Sequence, residues 1–493
     1  MFRPIFFLIL LLPTIFSSKA QTTHSTSVDN GRLIYEKGKS ERNEVIKAYL
    51  GQTPVTAAML PCKNCHGEDG KGRPEGGVIP ANITRTYLGK SLKVNGRVRP
   101  AYSKIGLIKA ITQGFDPAGN KLHQTMPQYA LTKADIEDLL AYLNTIEHRD
   151  DPGITDSTLY IGLNLPDTSP VYQEAMLGVF NDHFKEVNNL GGIYGRRIEA
   201  TLLTNQSPET VDKEVLAVTG FIKEAKHEAW LKLSNSTGLP LMGIVADRPR
   251  TGFVANKNTY YLEHGLLAQY KAMLAYALKA KPNSRILVLY EDDSRNWLRS
   301  EIEGYGKDNE VAVSAVDIHK QSKATLDASA LIIPLVKSQT LTALLADPYL
   351  QSIKPTLLLT HNTPRRSFAE IPDYAGQILV SFSNWPQPVN PQRAEVLMAQ
   401  RKQLGIPVEV EDSQLRISAM AELIKYLLIE TGRDLSREKL TTQSKKLFEY
   451  QTGYIQGLTF HENRKVGGQG VYITQYDASN RNYQLKDFIL VAQ

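Results

Sequence analysis

The sequence predicts a multidomain chain, with an all-α unit near the N-terminus followed by a two-lobed α/β unit. Three observations predict it. Both cysteines of the 493-residue chain fall in one heptapeptide, "PCKNCHG" (61–67). Amphipathic helical patterns flank that motif on either side. After residue 158 the pattern changes to apolar strands alternating with amphipathic helices, the signature of parallel sheets covered by helices.

The chain opens on "MFRPIFFLILLLPTIFSSKAQT". Arg3 is a short positive start, Ile5 to Phe16 an apolar run, and Ser18-Lys19-Ala20 a small-x-small cleavage site. A spanning helix needs about 20 apolar residues, and Pro13 and "SSK" cut this run short. Residues 1–20 are therefore expected to be an export signal cleaved near Ala20, leaving a periplasmic protein with no transmembrane segment. Losing Arg3 and Lys19 lowers the formal charge from +6 to +4. Spread over so long a chain, and without a basic stripe interleaved with aromatics, that charge gives no expectation of nucleic-acid binding.

A disulfide framework would scatter cysteines through the chain, and a structural zinc site would need more sulfur or histidine close by. Cys62-x-x-Cys65-His66 instead matches the attachment pattern of one covalent haem c. On a helical turn, thiols three apart share a face and can both bond the porphyrin, and the adjacent imidazole can reach the iron. A thioredoxin-type dithiol would need a βαβ context, which is missing here. Met126, in "KLHQTMPQY", is the expected second axial ligand. Pro127 favours an extended backbone at Met126, suited to a loop that presses sulfur onto iron. His123 is the rival.

The flanks agree. "NGRLIYEKGK" places Gly31 one helical turn from Tyr35, a small residue admitting close helix approach beside an aromatic. "LTKADIEDLLAYLNTIEH" begins with Thr132 and Asp135 as a capping box. Ile136, Leu139, Leu140 and Leu143 follow at helical spacing.

On these features residues 28–150 resemble class I mono-haem c-type cytochromes: a Gly-x-x-x-Tyr helix, C-K-N-C-H-G, a Met-Pro loop and a C-terminal helix with "LLAYL". The resemblance implies that a proline carbonyl orients the proximal histidine, a role that falls to Pro80 in "GGVIPANI". The basic stretch "GKSLKVNGRVRPAYSK" has no fixed counterpart in that family. It reads as a solvated face, with a docking surface as the alternative.

"DDPGITDST" is polar with Pro and Gly, so 151–157 reads as a linker. From 158 to 493, "LYIGLNLP" is a buried strand, and a helix follows from Val171 to Asn189, closed by Gly191-Gly192. Further strands are expected at "RRIEATLLTN", "LAVTGFI", "LPLMGIV", "RILVLYE", "ASALIIPLV", "PTLLLTH" and "GQILVSFS". About nine strands is more than one compact sheet of this length carries, hence two lobes.

This segment resembles the type I periplasmic binding proteins, specifically the branched-chain amino-acid receptors of ABC transporters. The likeness rests on "IGLNLP…AMLGVFNDHFKEVNNLGGIYGRRIEATLLTN" and "YIQGLTFHENRKVGGQGVYITQYD". It implies a small-molecule ligand held in a cleft between lobes that close about a hinge. The usual Gly/Ser-rich turn is replaced by "TGFIKEAKHEAW", and the usual Ser/Thr strand end by "GIVADRPRTGF". Cleft candidates are Asp247, Arg248, Tyr290, Asp293 and His361, and recognition of an α-amino acid is not expected.

No nucleophile–base pattern, phosphate loop or metal cluster stands out, so enzymatic activity is not expected. The expected function is electron transfer with a redox partner protein, a periplasmic dehydrogenase or another cytochrome, with the lobes docking partner or ligand. The alternative is a small-ligand receptor in which haem senses redox state.

Overall fold

The computed structural model describes residues 27–42, 45–72, 79–94, 97–146, 151–165, 169–203, 206–252, 257–320, 327–361, 374–407 and 410–491. The export signal expected at 1–20 lies outside them. The chain divides into two compact units, Met1–Arg149 and Asp150–Gln493.

The first unit runs α1 (Ser27–Lys37), β1 (Lys47–Leu50), β2 (Thr53–Thr56), α2 (Cys62–His66), α3 (Arg85–Leu88), β3 (Leu92–Val94), β4 (Arg97–Arg99), α4 (Lys104–Gln113), β5 (Gln128–Ala130) and α5 (Lys133–Leu143). The all-α expectation needs amending. Helices form the frame, but β2-β1-β5 make a small antiparallel sheet and β3-β4 a hairpin.

The frame is the crossing of α1 and α5, which approach closely because Gly31 has no side chain. A Cβ there would stand 1.9 Å from the Asp138 carbonyl oxygen. One turn on, Tyr35 is fully buried, its ring 5.3 Å from that of Tyr142. Thr132 caps the helix, its hydroxyl accepting from the Asp135 amide at 3.1 Å, but the reciprocal half of the capping box differs: the Asp135 carboxylate accepts from the Thr132 hydroxyl at 2.6 Å. Asp135 and Asp138 are buried, and Asn30 and Arg42 bind Asp138. Leu139, Leu140 and Leu143 join the core as their spacing predicts.

The second unit begins before its first strand. Residues 151–157, read above as a linker, are packed onto it. Ile154 is buried, the Asp151 carboxylate accepts the Arg437 amide at 2.6 Å, and a Cβ on Gly153 would meet the Leu216 nitrogen at 2.0 Å. Polar composition concealed a single apolar anchor.

The first lobe holds β6 (Thr158–Asn164), α6 (Pro170–Asn189), β7 (Arg197–Leu202), α7 (Pro208–Val211), β8 (Ala217–Phe221), α8 (Glu224–Thr237), β9 (Leu241–Val245) and β10 (Thr259–Tyr261). Its parallel sheet has the order β10-β9-β8-β6-β7. The second lobe continues with α9 (Leu266–Ala280), β11 (Ile286–Tyr290), α10 (Asn296–Asp308), β12 (Val313–Asp317), β13 (Leu331–Leu335), α11 (Ser338–Leu345), α12 (Pro348–Ile353), β14 (Thr356–Thr360) and β15 (Ile378–Phe382). The chain returns to the first lobe as α13 (Pro391–Leu404), α14 (Glu411–Thr431) and α15 (Arg437–Ser444). It then crosses again to β16 (Gly470–Asp477) and β17 (Asn482–Leu490). The second sheet is β12-β11-β13-β14-β15-β16-β17, with only β16 and β17 antiparallel to their neighbours. Every strand segment read from the sequence is present. Of the other four, β16 lies in the "GGQGVYITQYD" stretch that carries the resemblance, while the short β10 and β12 and the largely exposed β17 were not anticipated, because their patterns are too short or too polar to register.

Three crossovers join the lobes, near 263–265, 383–384 and 468–470. They are bonded to each other. The Ser383 hydroxyl donates to the His264 carbonyl at 2.6 Å. The Gln456 side chain donates to the carbonyls of Ser383 and Gly470 and accepts the amides of Gln469 and Gly470.

Candidate functional site

In the first unit α2 carries Cys62, Cys65 and His66 on a single turn. Two tyrosines from elsewhere in the fold fix its ends. Tyr129 donates to the Leu60 carbonyl at 2.6 Å, and Tyr35 to the Gly67 carbonyl at 2.7 Å. Gly67 ends the helix at φ 76°, a conformation that suits glycine.

Cys62, His66 and Met126 all line a cavity of about 610 Å³, walled also by Leu107, Ile111, Leu139 and Leu143. An adjoining cavity of about 270 Å³ shares Cys62, His66 and Met126 and adds Cys65. The thiols are unbridged, and burial pushes that of Cys62 up to about 11. Burial lowers the His66 pKa, against a small opposing pull from its hydrogen bond, so the ring is neutral near pH 7.

The His66 ring donates from Nδ1 to the Ala81 carbonyl at 2.9 Å. This corrects the expectation for Pro80 by one residue. The Pro80 carbonyl is instead turned against Gly72, where a Cβ would stand 2.3 Å from it. Pro80 still lines both cavities. With its proton at Nδ1, the ring leaves the Nε2 lone pair for a metal.

Met126 borders both cavities, whereas His123 borders only the smaller one, is exposed, and has Nδ1 2.8 Å from the Thr125 hydroxyl. The residues present fit a covalently held haem. Two thiols three apart, a neutral imidazole with a fixed tautomer and a thioether border two adjoining, mostly apolar cavities.

The cleft candidates of the second unit do not converge on one opening. Arg248, after β9, crosses to the second lobe. Its Nη2 lies 3.3 Å from Glu301 Oε1, and its guanidinium 5.1 Å from the Trp297 ring centre. Beside it, burial holds the Asp247 carboxyl above the usual range, against the pull of Arg295 from the second lobe. Tyr290 and Asp293 both belong to Arg299, whose guanidinium is 4.0 Å from the Tyr290 ring centre and 3.3 Å from the Asp293 carboxylate. Asp293 itself is 81% exposed at its side chain, a surface residue.

His361 is no open-cleft residue. It lies buried in a network with Arg416 of α14, Glu263 and Gln269. Its Nδ1 donates to Gln269 Oε1 at 3.0 Å, and its Nε2 accepts from Arg416 Nη2 at 2.6 Å. Arginine cannot lose its proton, so the imidazole is the neutral Nδ1–H form. Arg416 Nε donates to Glu263 Oε2 at 2.8 Å, and Asn384 donates to the same oxygen at 2.7 Å.

A pocket that sequence reasoning missed, of about 300 Å³, lies outside the carboxyl ends of β6, β7 and β8, lined by Asn164, Gln206, Ser207, Lys223, Lys226 and Trp230. Such strand ends are where open α/β sheets take ligands. The lysines of "TGFIKEAKHEAW" were the signal that could have found it. Among the described residues no group of three or more His, Cys, Asp or Glu could hold a metal ion, and no helix is long and apolar enough to cross a membrane.

Comparison with known proteins agrees with this division. Residues 51–147 match the Cytochrome c family. Solved structures match the larger part of the chain. A branched-chain amino-acid ABC transporter protein from Thermus thermophilus with bound valine is 12% identical, with TM-score 0.55, covering 68% of this chain and 98% of its own. A fatty acid ABC transporter substrate-binding protein from Thermomonospora curvata is 15% identical, with TM-score 0.53, covering 70% and 95%. A substrate-binding protein from Desulfitobacterium hafniense in complex with Leu is 15% identical, with TM-score 0.51, covering 66% and 99%. At such identities the likeness is one of fold. No curated protein sequence matches the chain. The chain thus joins a cytochrome c domain, whose family implies haem c, to a unit with the fold of the type I periplasmic binding proteins.

Proposed function

We propose that the protein is an exported mono-haem cytochrome that carries electrons in the periplasm, with its second unit serving to dock a partner or a ligand. The observation that carries this reading is the shared chamber of Cys62, His66 and Met126, with His66 oriented through Ala81. Bound haem would supply one-electron chemistry. Cys62 and Cys65 would anchor it, His66 Nε2 and Met126 sulfur would fill both axial positions, and the apolar walls would keep water away. With both His66 and Met126 holding the iron, the unit would be suited to electron transfer. Ile79, 81% exposed and lining both cavities, offers an apolar landing for a redox partner such as a dehydrogenase or another cytochrome.

The test is a haem stain of the denatured protein. The stain should persist in the native sequence and vanish when Cys62→Ser and Cys65→Ser are combined. Covalent haem retained in the double variant would sink the reading. Met126→Ala should lower the potential and abolish the weak long-wavelength absorption of thioether-ligated iron, and His123→Ala should do neither.

A receptor role for the second unit has one observation in its favour, the pocket at the carboxyl ends of β6–β8. Its lysines favour an anionic ligand. Calorimetric titration with leucine, isoleucine and valine should show no heat, and micromolar binding of any of them would move the protein to the receptor class.

A further inference from the structure

The basic stretch between α3 and α4, read from the sequence as a solvated face, places one of its cations against the chamber. Arg99 closes the β3–β4 hairpin opposite Leu92 and lines the 610 Å³ cavity together with Tyr87 and Tyr102. Its guanidinium lies 4.8 Å from the Tyr102 ring centre and 5.7 Å from that of Tyr87. Nη1 donates to the carbonyls of Lys90 at 2.9 Å and Pro100 at 3.2 Å, and Nη2 to that of Tyr87 at 3.4 Å.

These partners fix the side chain but neutralise nothing. A guanidinium has five N–H donors, and three are accounted for by neutral carbonyls. Among the described residues no carboxylate lies within ion-pair distance of Arg99. The other charged groups on the cavity wall are already engaged. Lys71 pairs with Asp69 at 3.6 Å, and the Asp116 carboxylate accepts from the amides of Ala118 and Asn120 and from the Asn120 side chain. A rigidly held cation without a counter-charge therefore faces a chamber whose fitted occupant carries two carboxylates. Arginine's planar fork suits a carboxylate in two-point contact.

We propose that Arg99, held against Tyr87 and Tyr102, is the anchor for a haem propionate. The proposal rests on the haem reading above. Removing the positive charge should favour oxidised iron and lower the midpoint potential.

The experiment is spectroelectrochemical titration of the full-length protein and its Arg99→Gln and Arg99→Lys variants, with the haem stain run in parallel. Arg99→Gln should keep covalent haem and weaken reduction about tenfold in equilibrium constant (~59 mV for one electron), the scale of one unit charge at an effective dielectric of about 20. Arg99→Lys should recover most of that shift, since it keeps the charge but loses the fork. An unchanged potential in stained Arg99→Gln protein would overturn the role of Arg99 and leave the haem reading standing. A native protein without stain would overturn both. If Arg99→Gln fails to fold, Arg99→Met, which also removes the charge, takes its place with the same expected lowering of the potential. A potential lowered as far as the Met126→Ala variant's would mean lost axial ligation and count against propionate anchoring.

Discussion

The haem chamber and the interlobe region handle their polar atoms in opposite ways. In the first unit the groups suited to ligation are not paired with one another. The thiols are unbridged, and the one bond His66 makes only aims its other nitrogen. In the second unit the charged groups of the cleft are already engaged with one another, Arg248 with Glu301 across the lobes and Arg416 with Glu263 and His361 beneath. The difference teaches that charged residues near a cleft are not evidence of a ligand. A site built for a guest keeps donors and acceptors in reserve, whereas a site that uses them on itself needs no guest to stay together.

The strongest way to break this contrast is Arg416→Met. It would leave Glu263 buried and unpaired and should cost the second unit about 3–5 kcal/mol, read as a lower second-unit transition in calorimetry. Adding Glu263→Gln should restore much of it. A loss below about 1 kcal/mol would mean that the network is not a lock.

Acid should act next, and mainly on the second unit. Burial lowers the pKa values of His227 and His264 to about 4, helped at His227 by Arg250. Their unfolded value is about 6.5, so the unfolded chain binds more protons between these limits. Stability is then full above about pH 6.5 and falls as pH drops towards 4, by a few kcal/mol in order of magnitude. Thermal melts across that range check the slope, and His264→Gln should flatten it.

In the first unit Gly31→Val should cost about 1–3 kcal/mol by forcing α1 off α5, while leaving the second transition unmoved. The smallest effect is expected for Arg248→Ala. With both partners of its ion pair more than a third exposed, the cost in stability should be under about 1 kcal/mol. Small-angle scattering should nevertheless detect a more open second unit.

What the sequence made legible was local. The C-x-x-C-H turn, the Gly31–Tyr35 spacing and the Thr132 cap each depend on residues within one or two turns, and all three stand in the structure. The carbonyl that meets His66 belongs to a residue 15 positions further on, and no spacing rule fixes which carbonyl that is. The surroundings of two cleft candidates were not legible because their partners are remote in sequence: Arg248 bonds a residue 53 positions away and His361 one 55 away. The role of Arg99 was hidden similarly, since a basic hairpin has the same composition whether it faces water or a chamber.

The Gln456 carboxamide has a mechanical consequence. Because it bonds two of the three crossovers at once, and Ser383 ties in the third, the strands between the lobes cannot bend independently. They behave as one joint with a single angular coordinate, like a leaf spring riveted at its middle. Any torque that a docked partner applies to one lobe should then reach the other without being dissipated in the loops. Gln456→Ala should free the 468–470 crossover from the other two, which Ser383 still ties together, and broaden the spread of interlobe angles, which distance measurements between spin labels on the two lobes can resolve.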